Sequence, residues 1–201
     1  MKKPAATEFP VHELIRERWS PRAFADKDVP AAELRSLFEA ARWAPSSSNE
    51  QPWAFIVAQR GNQEEFERAL APIAAGNLPW VKSVPVVGYA VCELAFAKNG
   101  TPNRNAQYDT GAAMALLSLE ATARGLFVHQ MAGFDPETAR EVYEIPVTWT
   151  PIAAFVLGYG GEAASLPEPY RDREGLPRTR KPLREFVMSG KWGHTAEFLE
   201  K

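Results

Sequence analysis

Cysteine is nearly absent from this chain. Cys92 is the only one in 201 residues, which excludes an intrachain disulfide and fits a reducing compartment. It lies in an apolar run, where a buried, inert thiol is expected. Histidine is almost as scarce: His12, His129 and His194 are scattered, and no cluster of His, Cys or carboxylates has metal-ligand spacing, so no metal is expected. An excess of one charge is also lacking. The 23 Lys and Arg against 25 Asp and Glu leave a net charge of −2, which argues against nucleic acid or an anionic membrane as partner. No apolar run approaches the roughly 18–20 residues of a membrane span. Met1-Lys2-Lys3-Pro4 leads into a polar segment rather than a signal-peptide core, so a cytoplasmic location is expected. Repeats and low-complexity segments are missing. Gly158-Tyr159-Gly160-Gly161 follows a strand-like run but is not the Gly-x-Gly-x-x-Gly turn of a Rossmann dinucleotide site.

What remains is a globular composition, 45% hydrophobic and 24% charged, in a chain long enough for one sizeable core. A short helix is predicted over 11–18. A second runs from Pro30 to Pro45, with Leu34, Leu37, Phe38 and Ala41 at the spacing of a buried stripe. Strands are predicted over 53–58, 84–91, 126–131 and 151–158. Asn62 caps a helix to about residue 75, and Asp135-Pro136 starts another ending near Tyr143. Residues 76–80 read as a loop, 99–107 as a polar connection and 160–182 as irregular. The helix over 109–124, ending at Gly125, has almost no polar face between Ala112 and Leu119. Burial on all sides is expected, with a second subunit covering the far side. Residues 183–201 carry Phe186, Val187, Trp192 and Phe198, too many large apolar groups for a solvated tail.

The chemistry concentrates at residues 44–53, Ala-Pro-Ser-Ser-Ser-Asn-Glu-Gln-Pro-Trp. Pro45 stops a helix and Pro52 stiffens entry into a strand, holding neutral donors and acceptors between them. That set suits a polar ring edge or a phosphate better than a metal. An ordinary helix-to-strand connection has the same composition. Upstream lies Arg18-Trp19-Ser20-Pro21-Arg22-Ala23-Phe24. Together, in this order and spacing, the two segments resemble the FMN-dependent nitroreductase family. Arg18, Ser20, Arg22 and Phe24 match its first motif; Pro45, Ser46, Ser47, Asn49, Gln51, Pro52 and Trp53 match its second, with one extra serine.

The resemblance implies an α+β fold with a central, mostly antiparallel sheet flanked by helices. Residues 1–182 would form the FMN-binding domain, and 183–201 an extension exchanged in a homodimer with shared active sites. It implies phosphate contacts from Arg18, Arg178 and Arg180, although the tail arginines also read as a solvated charge run with Asp172 and Glu174. Arg22 would face the flavin pyrimidine, where a cation favours the negative charge gained on reduction. Trp19, Ser20, Pro45, Ser46, Ser47, Asn49 and Gln51 would line the ribityl chain and ring edges. Gln130, Met131, Ala132 and Gly133 would lie near N5, with Ala132 where many members carry an acid. Asn77 is a further candidate contact, or a plain turn asparagine. The implied activity passes two electrons from NADH or NADPH through flavin N5 to a nitroaromatic, quinone or similar small acceptor, in ping-pong order and with no catalytic side chain. The alternatives are a non-catalytic FMN storage or sensing module and a family branch with different flavin chemistry.

Overall fold

A computed structural model describes residues 3–199. Met1, Lys2, Glu200 and Lys201, the ends of the two expected domains, lie outside the described residues. The elements run α1 (Glu13–Glu17), α2 (Ala31–Arg42), β1 (Trp53–Gln59), α3 (Gln63–Leu70), α4 (Leu78–Val81), β2 (Val86–Glu93), α5 (Ala106–Ala123), β3 (Leu126–Met131), α6 (Pro136–Val142), β4 (Trp149–Tyr159) and α7 (Tyr170–Gly175). The four strands form one sheet in the order β1-β2-β4-β3, and every neighbouring pair is antiparallel. This is the α+β arrangement expected, with the sheet antiparallel throughout.

Strand periodicity divides the core into two layers. Val87, Tyr89 and Val91 face a cluster with Phe66 and Ala69 of α3, Trp80 and Val81 of α4, and Ala139 of α6. Val86 and Ala90 face the other way, onto Leu34, Leu37 and Ala41 of α2 and Met114 and Leu117 of α5. Each fully buried side chain of this size contributes roughly 1.5–3 kcal/mol. Gly88 shares the second face, and a Cβ there would stand 2.4 Å from the Phe155 ring. Cys92 is wholly buried, and burial pushes its thiol up to about 11, so it is inert as expected.

Several boundaries differ from the sequence reading, each for a local reason. α1 starts at Glu13 because the His12 ring nitrogen accepts from the Leu14 N–H at 3.2 Å. α3 stops at Leu70, short of residue 75, two residues before Pro72 removes a helix donor. Residues 76–80 are not all loop: α4 begins at Leu78, tolerates Pro79 in its first turn and buries Trp80. Residues 160–182 contain α7, a helix that the Pro-rich composition concealed.

α5 buries one stripe, including Asp109, Ala113, Met114, Leu117 and Ala121, against α2 and the sheet. Its opposite side is open in the single chain: Gly111 and Ala115 are exposed, and Tyr108 is 81% exposed. Gly125 ends it with φ +71°, a conformation that costs glycine nothing. In the tail, Ala196 donates to the Val187 carbonyl at 3.1 Å and closes a small hairpin. Phe186, Trp192 and Phe198 point outward, Trp192 at 91% exposure. Among the described residues no helix is long and apolar enough to cross a membrane.

Candidate functional site

The turn that follows α1 is held from two directions. The ring Nδ1 of His129, on β3, lies 2.8 Å from the Pro21 carbonyl. The carbonyl only accepts, so Nδ1 carries the proton. The carboxylate of Glu174, on α7, accepts from the Arg22 N–H at 2.9 Å and the Ala23 N–H at 3.1 Å. Residues beyond the turn then run along the end of β4, where Ala25 donates to the Tyr159 carbonyl at 2.9 Å. Trp19 is packed inside, 7% exposed, edge-on to Phe127 with ring centroids 6.1 Å apart and the Lys3 ammonium 5.0 Å from its ring.

The His129 ring packs against Trp80 with centroids 4.8 Å apart and the planes tilted by 41°. Burial pushes its pKa down to about 4, against the opposing hydrogen bond to Pro21, and the Arg22 charge pushes the same way. The folded protein therefore binds this proton less readily than the unfolded chain, whose histidine titrates near 6.5. Stability from this group is complete above the unfolded value and is lost as pH falls toward the folded one. Between about pH 8 and about pH 5 it should remove about 2 kcal/mol of unfolding free energy. Urea denaturation of wild type and His129→Gln at both pH values checks this. Equal pH slopes in the two proteins would rule out His129 as the source.

A cationic cluster lies beside the turn. Arg18 caps α1, and its pKa is held below the usual guanidinium range by burial and then by Arg180. Arg178 is lowered by burial, then by Arg18 and Arg180. Arg178 is anchored, donating to the carbonyls of Lys3 at 2.7 Å and Arg16 at 2.9 Å. Arg18 reaches Ser20 Oγ at 3.4 Å, and Arg180 is exposed with one bond to the Thr179 carbonyl at 2.7 Å. Among the described residues no carboxylate pairs with any of the three. They open on a cavity of about 630 Å³ with Phe9, Ile15, Lys181 and Phe186 in its walls. Glu8 also lines it, its carboxylate accepting from the Leu183 N–H at 3.3 Å.

Past β3, Gln130 is exposed and donates to Ser118 Oγ at 3.3 Å, while Met131 is buried in the core. The backbone N–H groups of Ala132 and Gly133 find no hydrogen-bond partner among the described residues. Asn77 braces this segment: its amide donates to the Gly133 carbonyl at 3.1 Å and accepts from Trp80 Nε1 at 3.4 Å. A Cβ on Gly133 would stand 2.2 Å from that amide nitrogen, so a side chain here would push the Asn77 brace aside.

The loop after α2 is a separate construction. Pro45 is exposed and leads into a single 3₁₀ turn, Ser47–Asn49. Ser48, Asn49 and Gln51 all have φ near +55°, at 55°, 55° and 53°. Non-glycine residues persist there only when their surroundings over-determine them. Asp109, buried in the first turn of α5, accepts from the Ser47 N–H at 3.0 Å. Ser46 Oγ accepts from the Gln51 N–H at 3.0 Å, and Gln51 returns a bond to the Asn49 carbonyl at 3.0 Å. Glu50 ties the loop to the segment between β2 and α5 by accepting from the Ala97 N–H.

One chain thus gathers Arg18, Ser20, Arg22, Arg178, Arg180 and the 130–133 segment braced by Asn77, but not the 45–51 loop. The loop rests on Asp109, whereas Gln130 meets α5 at Ser118, about 14 Å further along the helix axis. Among the described residues no hydrogen bond, ion pair or ring contact joins the loop to the other group.

Residues 15–159 match the Nitroreductase family. The chain belongs to the nitroreductase family. It is 36% identical over 145 residues to an uncharacterised 15.4 kDa protein of Mycolicibacterium smegmatis, covering 70% of this chain and 97% of the relative. It is 30% identical to a protein named NADH dehydrogenase of Thermus thermophilus, covering 86% and 92% of the two chains. A crystal structure described as an oxidoreductase containing FMN superposes with a TM-score of 0.88 at 30% identity, over 94% of this chain and 96% of that one. With family and fold settled, the chain is an oxidoreductase of the nitroreductase type. Sequence reasoning about this nitroreductase-family member missed Asp109 and Glu174 as supports. Asp109 read only as the first residue of the apolar helix, and Glu174 as part of a solvated charge run. The absence of a repeated apolar pattern around 174 left no signal that its carboxylate is buried.

Proposed function

We propose that this protein uses FMN to pass two electrons from NADH or NADPH to a nitroaromatic, quinone or similar small acceptor. The observation that carries the reading is the set of three arginines with no carboxylate partner among the described residues, opening on one cavity beside the clamped 20–22 turn. Like charges gathered in this way are relieved by a dianion, and a phosphate is the dianion that guanidinium forks fit. The FMN held by the similar oxidoreductase and the NADH in the Thermus relative's name support the same assignment.

When bound, the flavin supplies the hydride chemistry at its N5. The chain's own residues do the rest. Arg18 and Arg180 hold the phosphate, with Arg178 keeping the N-terminal segment in place behind them. Arg22 sets a cation at the pyrimidine edge and favours the charge gained there on reduction. The Ala132 and Gly133 N–H groups, without a partner among the described residues, offer donors to the ring edge, and Gln130 lies beside them. A nicotinamide donor and an acceptor that used this one site in turn would give ping-pong kinetics. The open side of α5, the outward rings of the tail and the isolation of the 45–51 loop support a homodimer, and the single cysteine fits a cytoplasmic location for it. In it, residues 183–201 pack on the partner, and the loop with Ser46, Ser47, Asn49 and Gln51 completes the partner's site.

The purified protein should be yellow and release about one FMN per chain on denaturation, the ratio of one complete site per protomer. It should oxidise NADH or NADPH under nitrogen when given a nitro or quinone acceptor. Colourless protein that takes up no added FMN at micromolar concentration would end this reading. FMN-loaded protein that oxidises neither nicotinamide would instead be a flavin-binding module.

A further inference from the structure

Glu174 is a charged residue inside the protein, 2% exposed, and its carboxylate partners lie 152 and 151 positions away in sequence. Burying a carboxylate costs several kcal/mol unless hydrogen bonds compensate it. Here the compensation comes from backbone. Oε1 accepts from Arg22 N–H at 2.9 Å and Ala23 N–H at 3.1 Å, and Oε2 lies 3.1 Å from the first of these donors. The Lys3 ammonium donates to the backbone carbonyl of Glu174 at 2.5 Å and brings a cation to the same place.

The Pro21 carbonyl and the Arg22 N–H belong to one rigid peptide plane. His129 holds the carbonyl end of that plane and Glu174 the N–H end. The Ala23 N–H, also on Glu174, fixes the next plane. With both planes pinned, φ and ψ of Arg22 are set, and so is the direction of its Cα–Cβ bond. A backbone already ordered in this way adds no ordering cost of its own when the side chain takes up its ligand.

We infer that Glu174 is a positioning residue: with His129 it fixes both peptide planes flanking Arg22 and so aims the Arg22 guanidinium at its ligand. The identity of that ligand as the flavin pyrimidine rests on the function proposed above; the clamp itself does not. Glu174→Gln keeps an oxygen that can face both N–H groups, whereas Glu174→Ala removes both acceptors. In the FMN-free protein, hydrogen exchange at the Arg22 and Ala23 amides should quicken on the order of tenfold in Glu174→Ala and stay within about twofold of wild type in Glu174→Gln. In the FMN-loaded protein, Glu174→Ala should lower the flavin midpoint potential toward that of Arg22→Gln. On an Arg22→Gln background it should lower it no further, because a residue acting through Arg22 has nothing left to act on. Glu174→Gln should restore the wild-type potential. Unchanged exchange, or an equal fall in potential with and without Arg22, would overturn the inference. If wild type binds no FMN, the flavin reading fails and the exchange measurement alone decides the clamp. If Glu174→Ala does not fold, Glu174→Asp replaces it, its carboxylate one methylene too short to span both amides.

Discussion

Arg18→Ala/Arg180→Ala is expected to weaken FMN binding by about 3–6 kcal/mol, because each arginine contributes a hydrogen bond to a charged group worth roughly 1.5–3 kcal/mol. That is about two to four orders of magnitude in dissociation constant. The FMN-free protein should respond differently. The pKa of Arg18 is lowered by burial and then by the charge of Arg180, and that of Arg178 by burial and then by Arg18 and Arg180. Removing two of three cations that have no carboxylate partner among the described residues relieves repulsion. Arg180 has a single hydrogen bond, to its neighbour's carbonyl, and Arg18 a long one to Ser20 at 3.4 Å. The thermal midpoint of the FMN-free variant should therefore equal or exceed that of wild type. Arg178→Ala is the contrasting case, since it breaks the bonds to Lys3 and Arg16 and should lower stability as well as affinity. Flavin fluorescence titration with thermal melts of the same samples measures both. An unchanged dissociation constant in the double variant would return these arginines to an ordinary solvated cluster.

The second large effect concerns which chain supplies the 45–51 loop. Within one chain that loop rests on the first turn of α5, while the arginines, Ser20 and residues 130–133 lie elsewhere. If the loop serves the partner's site, defects in the two groups will sort between the two sites of a dimer. Arg18→Ala/Arg180→Ala and Ser47→Ala/Asn49→Ala should each be poor at holding FMN as homodimers. In the mixed dimer, one site collects every defect and the other collects none. Co-expression with two tags should then give about one tightly bound FMN and half the wild-type activity per dimer, as two-fold symmetry of shared sites requires. A site confined to one chain leaves both halves of the mixed dimer damaged. A mixed dimer as empty as its parents would therefore exclude sharing while leaving FMN binding open.

Local features were legible in the sequence because their physics is local. The stripe Leu34, Leu37 and Ala41 faces the core through helical spacing, Asn62 and Asp135 cap by reaching a few residues along, and Gly125 ends α5 because φ +71° favours glycine. The four strands follow from apolar runs bounded by turn residues, and the two motifs identify the family through residues adjacent in the chain. Tertiary structure decided what depends on distant partners. Asn77 has the composition of a turn residue, and only the approach of Gly133 makes it a brace. Trp19 belongs to the binding motif by sequence, yet its ring is enclosed by Phe127 and Lys3. Ser48 and Asn49 take left-handed backbone because Asp109 fixes the turn from another element. Glu174 is the clearest instance. Among arginines and an aspartate, a glutamate belongs in water by composition; its burial exists only because folding brings two backbone donors from residues 22 and 23 to meet it, a contact that no local pattern encodes.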